Sequence, residues 1–204
     1  MKVFDQLLKF PFVYDLLQNG INKATSTRWF TDEIIQPEAG QWVLDVGCGT
    51  ATVLDHLHGV DYTGVDNNPK YITRATKRHG HRGTFLCVDF NSPEFGVFGK
   101  FKTVLVLKVL HHLSDNEVDN LFRVLSSSMS KDGVIVTEDC AIVSGQHPIA
   151  WLLAKLDRGR YARSPQGYRE LLEIHFEIET EIVRHDLLKV PYTHAIFRAK
   201  PKAK

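Results

Sequence analysis

The chain has 204 residues, of which 43% are apolar and 24% are charged, and its formal net charge is +1. This length and composition predict a single globular domain that is long enough to bury a substantial core. The near-zero net charge provides no strong field that would attract DNA, RNA or an anionic membrane surface.

The cysteines and the apolar segments indicate in which cellular compartment the protein is expected. Three cysteines lie far apart and without C-x-x-C spacing: Cys48, Cys87 and Cys140. This usage argues against a disulfide framework or a zinc cluster and fits a reducing cytosol. Polar residues interrupt the apolar residues near the start of the chain, and no apolar run approaches the roughly 20 residues that span a bilayer. We therefore expect a cytoplasmic protein with no membrane partner.

The apolar periodicity predicts the elements in chain order. Residues 1–39 have helix-like spacing, with a break at Pro11 and a second helical segment over 22–35. From residue 41 onward strand and helix signals alternate, which predicts a parallel sheet with helices on both faces. The expected strands are 42–46, 62–65, 84–88, 103–107 and 134–138. The expected helices are 51–58, 69–79 and 115–129, the last with a capping box from Ser114 to Glu117.

The pattern changes after residue 140. A helix is expected over 146–157, and Ser164 followed by Pro165 is typical of an N-cap with proline at the first helical position. Residues 176–183 and 193–199 then alternate in the manner of strands. Because no helix separates them, these two strands are predicted to pair in an antiparallel fashion.

Residues 43–51 read V-L-D-V-G-C-G-T-A, an apolar strand that ends in an acid and runs into a glycine turn. Such a strand leads to a turn where only glycine lets the backbone approach a ligand closely. Dinucleotide enzymes use a related G-x-G-x-x-G turn, whereas here Ala51 follows Gly47 and Gly49. Asp45 would repel an anion at this turn but would tolerate a ligand with an ammonium group.

This turn resembles the nucleotide turn of the class I S-adenosylmethionine-dependent methyltransferases, which usually have a third glycine at the position of Ala51. The resemblance covers residues 40–140 well and the two terminal strands moderately. It implies an α/β fold with a doubly wound, mostly parallel, seven-stranded Rossmann-like sheet, a C-terminal antiparallel hairpin and an N-terminal helical lid. The single domain then divides into a lid (1–39), a cofactor-binding core (41–140), an acceptor-side cap (141–175) and terminal strands (176–199). The implied cofactor is S-adenosyl-L-methionine, with S-adenosyl-L-homocysteine as the product.

Three acids end three successive predicted strands: Asp45, Asp66 and Asp89. Ligands bind beyond the carboxyl ends of parallel strands, so these acids would line one crevice, although each alone is also typical of a turn. Asp66 follows Gly47 by 19 residues, a spacing typical of a carboxylate that binds a ribose diol. The resemblance implies that Asp89 accepts from the adenine amine, with Phe90 against the ring. The other predicted cofactor contacts are Gly47, Cys48, Gly49, Asn67 and Leu107, and Tyr14 and Arg28, which would close over the methionine carboxylate.

The fourth strand runs into V-L-K-V-L-H-H-L, residues 106–113. Many small-molecule methyltransferases have a similar segment beside the transferable methyl, so the resemblance suggests that His111 or His112 faces the active site. We predict that His111 positions the acceptor or acts as a general base, with His112 as the second candidate. The alternative is that both side chains cap or pack beneath the next helix. Lys108 stands where such enzymes often have a small residue, and it either reaches into the pocket or extends to solvent.

A polar cluster follows the fifth strand. Four arginines and two tyrosines lie within twelve residues: Arg158, Arg160, Tyr161, Arg163, Tyr168 and Arg169. This combination suits recognition of a carboxylate or phosphate, and it would also suit RNA. The alternative is a solvated loop in which Arg169 pairs with an acid. The predicted acceptor-binding residues are Lys108, Asp139, Arg158, Arg160, Tyr161, Tyr192 and His194.

These patterns favour methyl transfer from S-adenosyl-L-methionine to a small, anionic metabolite. No metal is needed, because the sulfonium methyl is already electrophilic. The alternatives are an RNA or protein methyltransferase and a non-catalytic S-adenosylmethionine-binding module. Asp45 and the missing third glycine disfavour a nicotinamide-dependent oxidoreductase, and the absence of an N-P-P-Y-like tetrapeptide disfavours a DNA partner. We expect a monomer or a homodimer.

Overall fold

A computed structural model describes residues 23–89, 99–156 and 160–202 of the chain. Its strands are β1 Trp42–Val46, β2 Asp61–Asp66, β3 Gly83–Cys87, β4 Phe101–Leu107, β5 Met129–Cys140, β6 Phe176–Arg184 and β7 His194–Pro201. Its α-helices are α1 Ala24–Trp29, α2 Pro69–His79, α3 Asp115–Ser128, α4 Pro148–Leu156 and α5 Pro165–His175. A π-helix covers Phe30–Ile35, and two 3₁₀ helices cover Thr52–Asp55 and Leu110–His112.

The strands form one seven-stranded sheet in the order β3-β2-β1-β4-β5-β7-β6. β1 to β5 pair in parallel, whereas β7 pairs antiparallel with both β5 and β6. This arrangement confirms the predicted fold class, including the antiparallel C-terminal strands. Because β7 runs antiparallel to β5, its first residue, His194, pairs with Cys140 at the carboxyl edge of the parallel strands.

Helices cover both faces of the sheet, as the alternation predicted. Successive side chains of a strand point to opposite faces, so Leu44 and Val43 enter different cores. The Leu44 core packs against α3 and α5 and includes Val118, Leu121, Phe122 and Leu172. The Val43 core packs against the N-terminal helical segment and includes Phe30, Ile34, Ile35 and Leu57. Of the predicted lid, residues 1–22 lie outside the described residues.

Local signals placed two helix starts correctly. The Ser114 backbone N–H donates to Glu117 Oε2 at 2.8 Å at the start of α3, as the capping box predicted. Hydrogen bonds from Ser114 lower the pKa of Glu117. At the start of α5, Ser164 Oγ accepts from the Gly167 N–H at 3.1 Å. These contacts satisfy backbone groups that a helix terminus leaves unpaired.

Three predicted elements differ from the structure. The expected helix over 51–58 is only the 3₁₀ helix Thr52–Asp55, because Gly59 turns the chain at φ +70° and β2 begins at Asp61. The helix over 22–35 changes to π-helical geometry from Phe30, which aligns residues five apart and so turns Phe30 and Ile35 together into the core. β5 begins five residues earlier than expected, beyond a register shift in its pairing with β4.

Within the described part of the chain, no helix is both long and apolar enough to cross a membrane.

Candidate active site

The backbone of the turn after β1 has positive φ angles and close contacts that favour glycine. Gly47, Gly49 and Ala51 all have positive φ, at +72°, +54° and +56°. A Cβ added to Gly47 would lie 2.4 Å from Val109 Cγ2, so a side chain cannot be accommodated. The N–H groups of Gly47 and Cys48 both donate to the Val65 carbonyl, at 2.8 and 3.0 Å. The turn is thus fixed to the end of β2, and Ala51 adopts the left-handed conformation without being glycine.

Asp45 is buried beneath this turn. Tyr62 Oη donates a hydrogen bond to Asp45 Oδ2 at 2.5 Å. Burial raises the pKa of Asp45 from 3.8 to about 7, although the Tyr62 hydrogen bond opposes the shift, and the charge of Asp66 adds to it. A cation that approaches Asp45 would favour its ionised form.

Asp66, at the end of β2, connects the glycine turn to a pocket. It accepts from the Gly49 N–H at 3.0 Å and from the Asn68 N–H at 2.8 Å. Burial raises its pKa, and these two hydrogen bonds act against that rise. An open pocket of about 560 Å³ adjoins it, lined by Asn67, Asn68, Pro69, Cys87, Val88 and Asp89. The predicted contacts Asn67 and Asp89 therefore do come together, and the volume suits a small-molecule ligand.

The segment after β4 places His111 against an acid of β5. His111 Nδ1 lies 2.7 Å from Asp139 Oδ1, and the His111 backbone N–H donates to the same oxygen at 3.1 Å. Both side chains are buried, and burial raises the pKa of Asp139 against the opposing effect of the His111 contacts. His112 is exposed, with its ring centroid 4.1 Å from that of His111. The buried imidazole–carboxylate pair therefore involves His111 and not its neighbour.

A second polar cluster lies on the opposite side of β5. His194 Nδ1 lies 2.9 Å from Glu138 Oε1, and the Tyr192 ring centroid is 5.0 Å from that of His194. Burial raises the pKa of Glu138, but the charge of Lys108 and the contact with His194 outweigh it, and the pKa falls to about 2. Glu138 was not among the predicted site residues. The signal that could have identified it was its position beside Asp139 at the end of the fifth strand.

Comparison with known families decides what this arrangement belongs to. Residues 43–133 match a family model described as a methyltransferase domain. This range includes the glycine turn, Asp66, Asp89 and the segment that carries His111. Residues 43–133 are thus similar to a methyltransferase domain. No curated protein matches the chain in sequence.

Solved methyltransferases share the fold of this chain. A TehB-like SAM-dependent methyltransferase from Corynebacterium glutamicum is 17% identical with a TM-score of 0.67, and the match covers 93% of this chain and 94% of that one. Magnesium protoporphyrin IX methyltransferase (ChlM) from Synechocystis, solved with bound SAM, is 20% identical with a TM-score of 0.62 over 88% and 77%. Mitomycin 7-O-methyltransferase MmcR is 20% identical with a TM-score of 0.67 over 86% of this chain, which spans about half of MmcR, 53%. At such identities the likeness shows the class I methyltransferase fold.

The residues present fit S-adenosyl-L-methionine, the cofactor expected from the sequence. The fit rests on Asp66 and on the pocket at Asp89, because the space beside the Gly47 Cα is filled by the Val109 side chain. Asp66 stays the predicted contact of the ribose, and Asp89 that of the adenine. Leu107 is the last residue of β4, and Cys48 is half-buried in the turn. Arg28 is exposed near the end of α1, and three other predicted contacts, Tyr14, Phe90 and Arg158, lie outside the described residues.

The arginine cluster after β5 does not form one anion site. Arg163 donates to Asp115 and to the carbonyl groups of Leu110 and Leu113, at 2.6 to 2.9 Å. It thereby holds the 3₁₀ turn that carries His111. Arg169 pairs with Glu173 and Glu181, which agrees with the alternative of an ion-paired arginine. The exposed residues Arg160 and Tyr161 stay available to a ligand.

Proposed function

We propose that this protein transfers a methyl group from S-adenosyl-L-methionine to a hydroxyl of a small, anionic metabolite, with His111 as the acceptor-positioning residue and general base. The observation that carries the proposal is the contact of 2.7 Å between His111 Nδ1 and Asp139 Oδ1. The pair stands at the carboxyl edge of β4 and β5, where ligands of α/β sheets bind.

The His111–Asp139 pair supports base chemistry at a defined atom. When bound, the cofactor supplies an electrophilic methyl on its sulfonium. Asp139 accepts from Nδ1–H of His111, which leaves Nε2 as the nitrogen that takes the hydroxyl proton. The buried carboxylate also stabilises the imidazolium that results. Asp139 therefore both orients the imidazole of His111 and stabilises its protonated form.

Fewer cationic side chains support an anionic acceptor than the sequence suggested. Two of the four arginines are engaged in ion pairs, so Arg160 is the described arginine of the cluster proposed to meet an anionic group. Lys108, whose charge also stabilises Glu138, is proposed as the second cation. The same ion pairs weaken the case for RNA, which rested on the whole cluster. Tyr14 and Arg28, in the lid over 1–39, are proposed to contact the cofactor. Tyr161 in the cap and Tyr192 in the segment of the terminal strands are proposed to contact the acceptor.

The proposal is tested by methyl transfer from labelled S-adenosylmethionine to small hydroxylated carboxylates and phosphates. The variant His111→Gln should lower kcat by about a hundredfold or more, with unchanged S-adenosylhomocysteine affinity, because a general base contributes that factor. The matched control is His112→Gln, which alters the exposed neighbour and should leave turnover near the wild-type value. Equal turnover of the two variants would remove His111 from the reaction. Loss of S-adenosylhomocysteine binding in His111→Gln would assign it to the cofactor pocket.

A further inference from the structure

The side chain of Arg163 is fully engaged within the protein. A guanidinium has five N–H groups, and all five of Arg163 donate hydrogen bonds. Two of them donate to Asp115, at 2.6 and 2.9 Å. The other three donate to backbone carbonyl groups at 2.6 to 3.0 Å, those of Leu110, Leu113 and Tyr161. Arg163 therefore has no N–H group left with which to bind an anionic acceptor.

The turn that carries His111 depends on contacts from outside it. The 3₁₀ helix Leu110–His112 is a single turn, and hydrogen bonds of this kind have poorer geometry than those of an α-helix. Arg163 holds the carbonyl groups of Leu110 and Leu113, and the Tyr161 N–H donates to the His111 carbonyl at 3.0 Å. The backbone at His111 and on both sides of it is thus held by one segment, residues 161–163.

Arg163 also contacts the strand end that carries Asp139. The Ile142 N–H donates to the Arg163 carbonyl at 3.0 Å. The Arg163 N–H donates to Tyr168 Oη at 3.4 Å, and this hydroxyl donates to the Cys140 carbonyl at 2.9 Å. Arg163 thereby links the 3₁₀ turn to the residues that follow Asp139 in β5.

The His111–Asp139 pair is sensitive to how the turn and β5 are placed relative to each other. Both the Nδ1 and the backbone N–H of His111 lie against one oxygen of Asp139, at 2.7 and 3.1 Å. A shift of the turn by about 1 Å would lengthen the 2.7 Å contact beyond the roughly 3.2 Å of a good hydrogen bond. A misplacement of this size near a reacting group costs about a hundredfold in rate.

We propose that Arg163 is a positioning residue of the reaction, which holds the His111 imidazole against Asp139 so that Nε2 faces the acceptor hydroxyl. This inference rests on the proposed function and deepens it. Because every N–H group of Arg163 is used within the protein, the residue acts through His111 and not by binding the acceptor. Its loss should therefore lower kcat and leave the KM of the acceptor and the affinity for S-adenosylhomocysteine unchanged.

The first test is a double-mutant cycle of Arg163→Met and His111→Gln. Arg163→Met alone should lower kcat by about ten- to a hundredfold, with an unchanged KM. In the His111→Gln background the same substitution should lower kcat by less than about twofold, because no base remains to be positioned. Arg163→Lys, which keeps the charge but has three donors, should retain part of the turnover. The matched control Arg169→Met removes an arginine that pairs with acids away from the turn, and it should keep the wild-type kcat.

A second readout needs no acceptor. In protein with isotope-labelled histidine nitrogens and bound S-adenosylhomocysteine, long-range proton–nitrogen correlation spectra report which ring nitrogen of His111 carries the proton, and His111→Gln assigns the signal. The wild type should show one form, with the proton on Nδ1. Arg163→Met should show the averaged signal of a ring that exchanges between both forms, whereas Arg169→Met should keep the wild-type signal.

The outcomes separate this inference from the proposed function. Wild-type turnover in Arg163→Met, an equal factor of loss in both backgrounds, or an unchanged His111 signal would each overturn the inference and leave the proposed function standing. If Arg163→Met fails to bind S-adenosylhomocysteine, Arg163→Lys takes its place in the cycle and in the spectra, and the same results decide. Unchanged turnover in His111→Gln, or no methylation of any hydroxylated carboxylate or phosphate by the wild type, would overturn the proposed function. The spectra then decide alone whether Arg163 positions the imidazole.

Discussion

The buried carboxyl of Asp45 should make the stability of the protein depend on pH in a way that one substitution removes. Asp45 lies beneath the glycine turn and accepts a hydrogen bond of 2.5 Å from Tyr62. The proposed perturbation is Asp45→Asn, which keeps the shape of the side chain and removes its titration. Tyr62→Phe is a second variant that removes the hydrogen bond stabilising the ionised form.

The magnitude follows from the pKa of Asp45, which burial raises from 3.8 to about 7. The folded protein therefore holds a proton that the unfolded chain releases at lower pH. This contribution to the free energy of unfolding is fully present below about pH 4 and is lost as pH rises through about 7. The loss amounts to about 1.4 kcal/mol per pH unit within that window, or roughly 4 kcal/mol in total.

The assay is urea unfolding of the wild type and the two variants at several pH values from about 4.5 to 8. The free energy of unfolding of the wild type, minus that of Asp45→Asn, should fall by about 2–4 kcal/mol across this range. Tyr62→Phe should extend the fall to higher pH, since the pKa of Asp45 rises further without its donor. A difference between wild type and Asp45→Asn that stays constant with pH would refute the reasoning.

Two further predictions concern cofactor affinity and the turn that carries His111. Asp66→Ala should weaken S-adenosylhomocysteine binding by roughly 1–3 kcal/mol in calorimetry, because the carboxylate is proposed to bind the ribose. The exposed control Asp132→Ala should leave the affinity unchanged. Unchanged affinity in Asp66→Ala would exclude Asp66 from the site. Arg163→Met should lower the free energy of unfolding by about 2–4 kcal/mol, because it leaves two carbonyl groups and an acid without their donor. The more exposed Arg169→Met should cost under about 1 kcal/mol, and equal losses would contradict the assigned role of Arg163.

Local patterns explain why much of the fold could be predicted from the sequence. The strand that carries Asp45 has a strong signal because buried apolar residues, an acid and glycines follow each other without interruption. Ser164 and Pro165 mark a helix start by chemistry that acts over three residues. The three acids could be placed at one edge because parallel strands direct their carboxyl ends the same way.

Partners that are distant in sequence could not be predicted. Asp139 lies 28 residues from His111, and Asp115 lies 48 residues from Arg163. Spacing alone does not say which acid a strand register will bring to which base. For the arginine cluster the sequence therefore leaves open both an anion site and an ion-paired loop, and the structure pairs two of its members, Arg163 and Arg169, with acids. The pairing of Glu138 with His194 depends on β7 lying beside β5, and no local pattern encodes that.

The most direct test of the account is a calorimetric titration of the purified protein with S-adenosylhomocysteine, S-adenosylmethionine and NAD. The account predicts micromolar binding of both adenosyl ligands and no binding of NAD. Failure of both adenosyl ligands to bind would contradict the central claim, since the glycine turn, Asp66 and the pocket at Asp89 would then have no cofactor to hold.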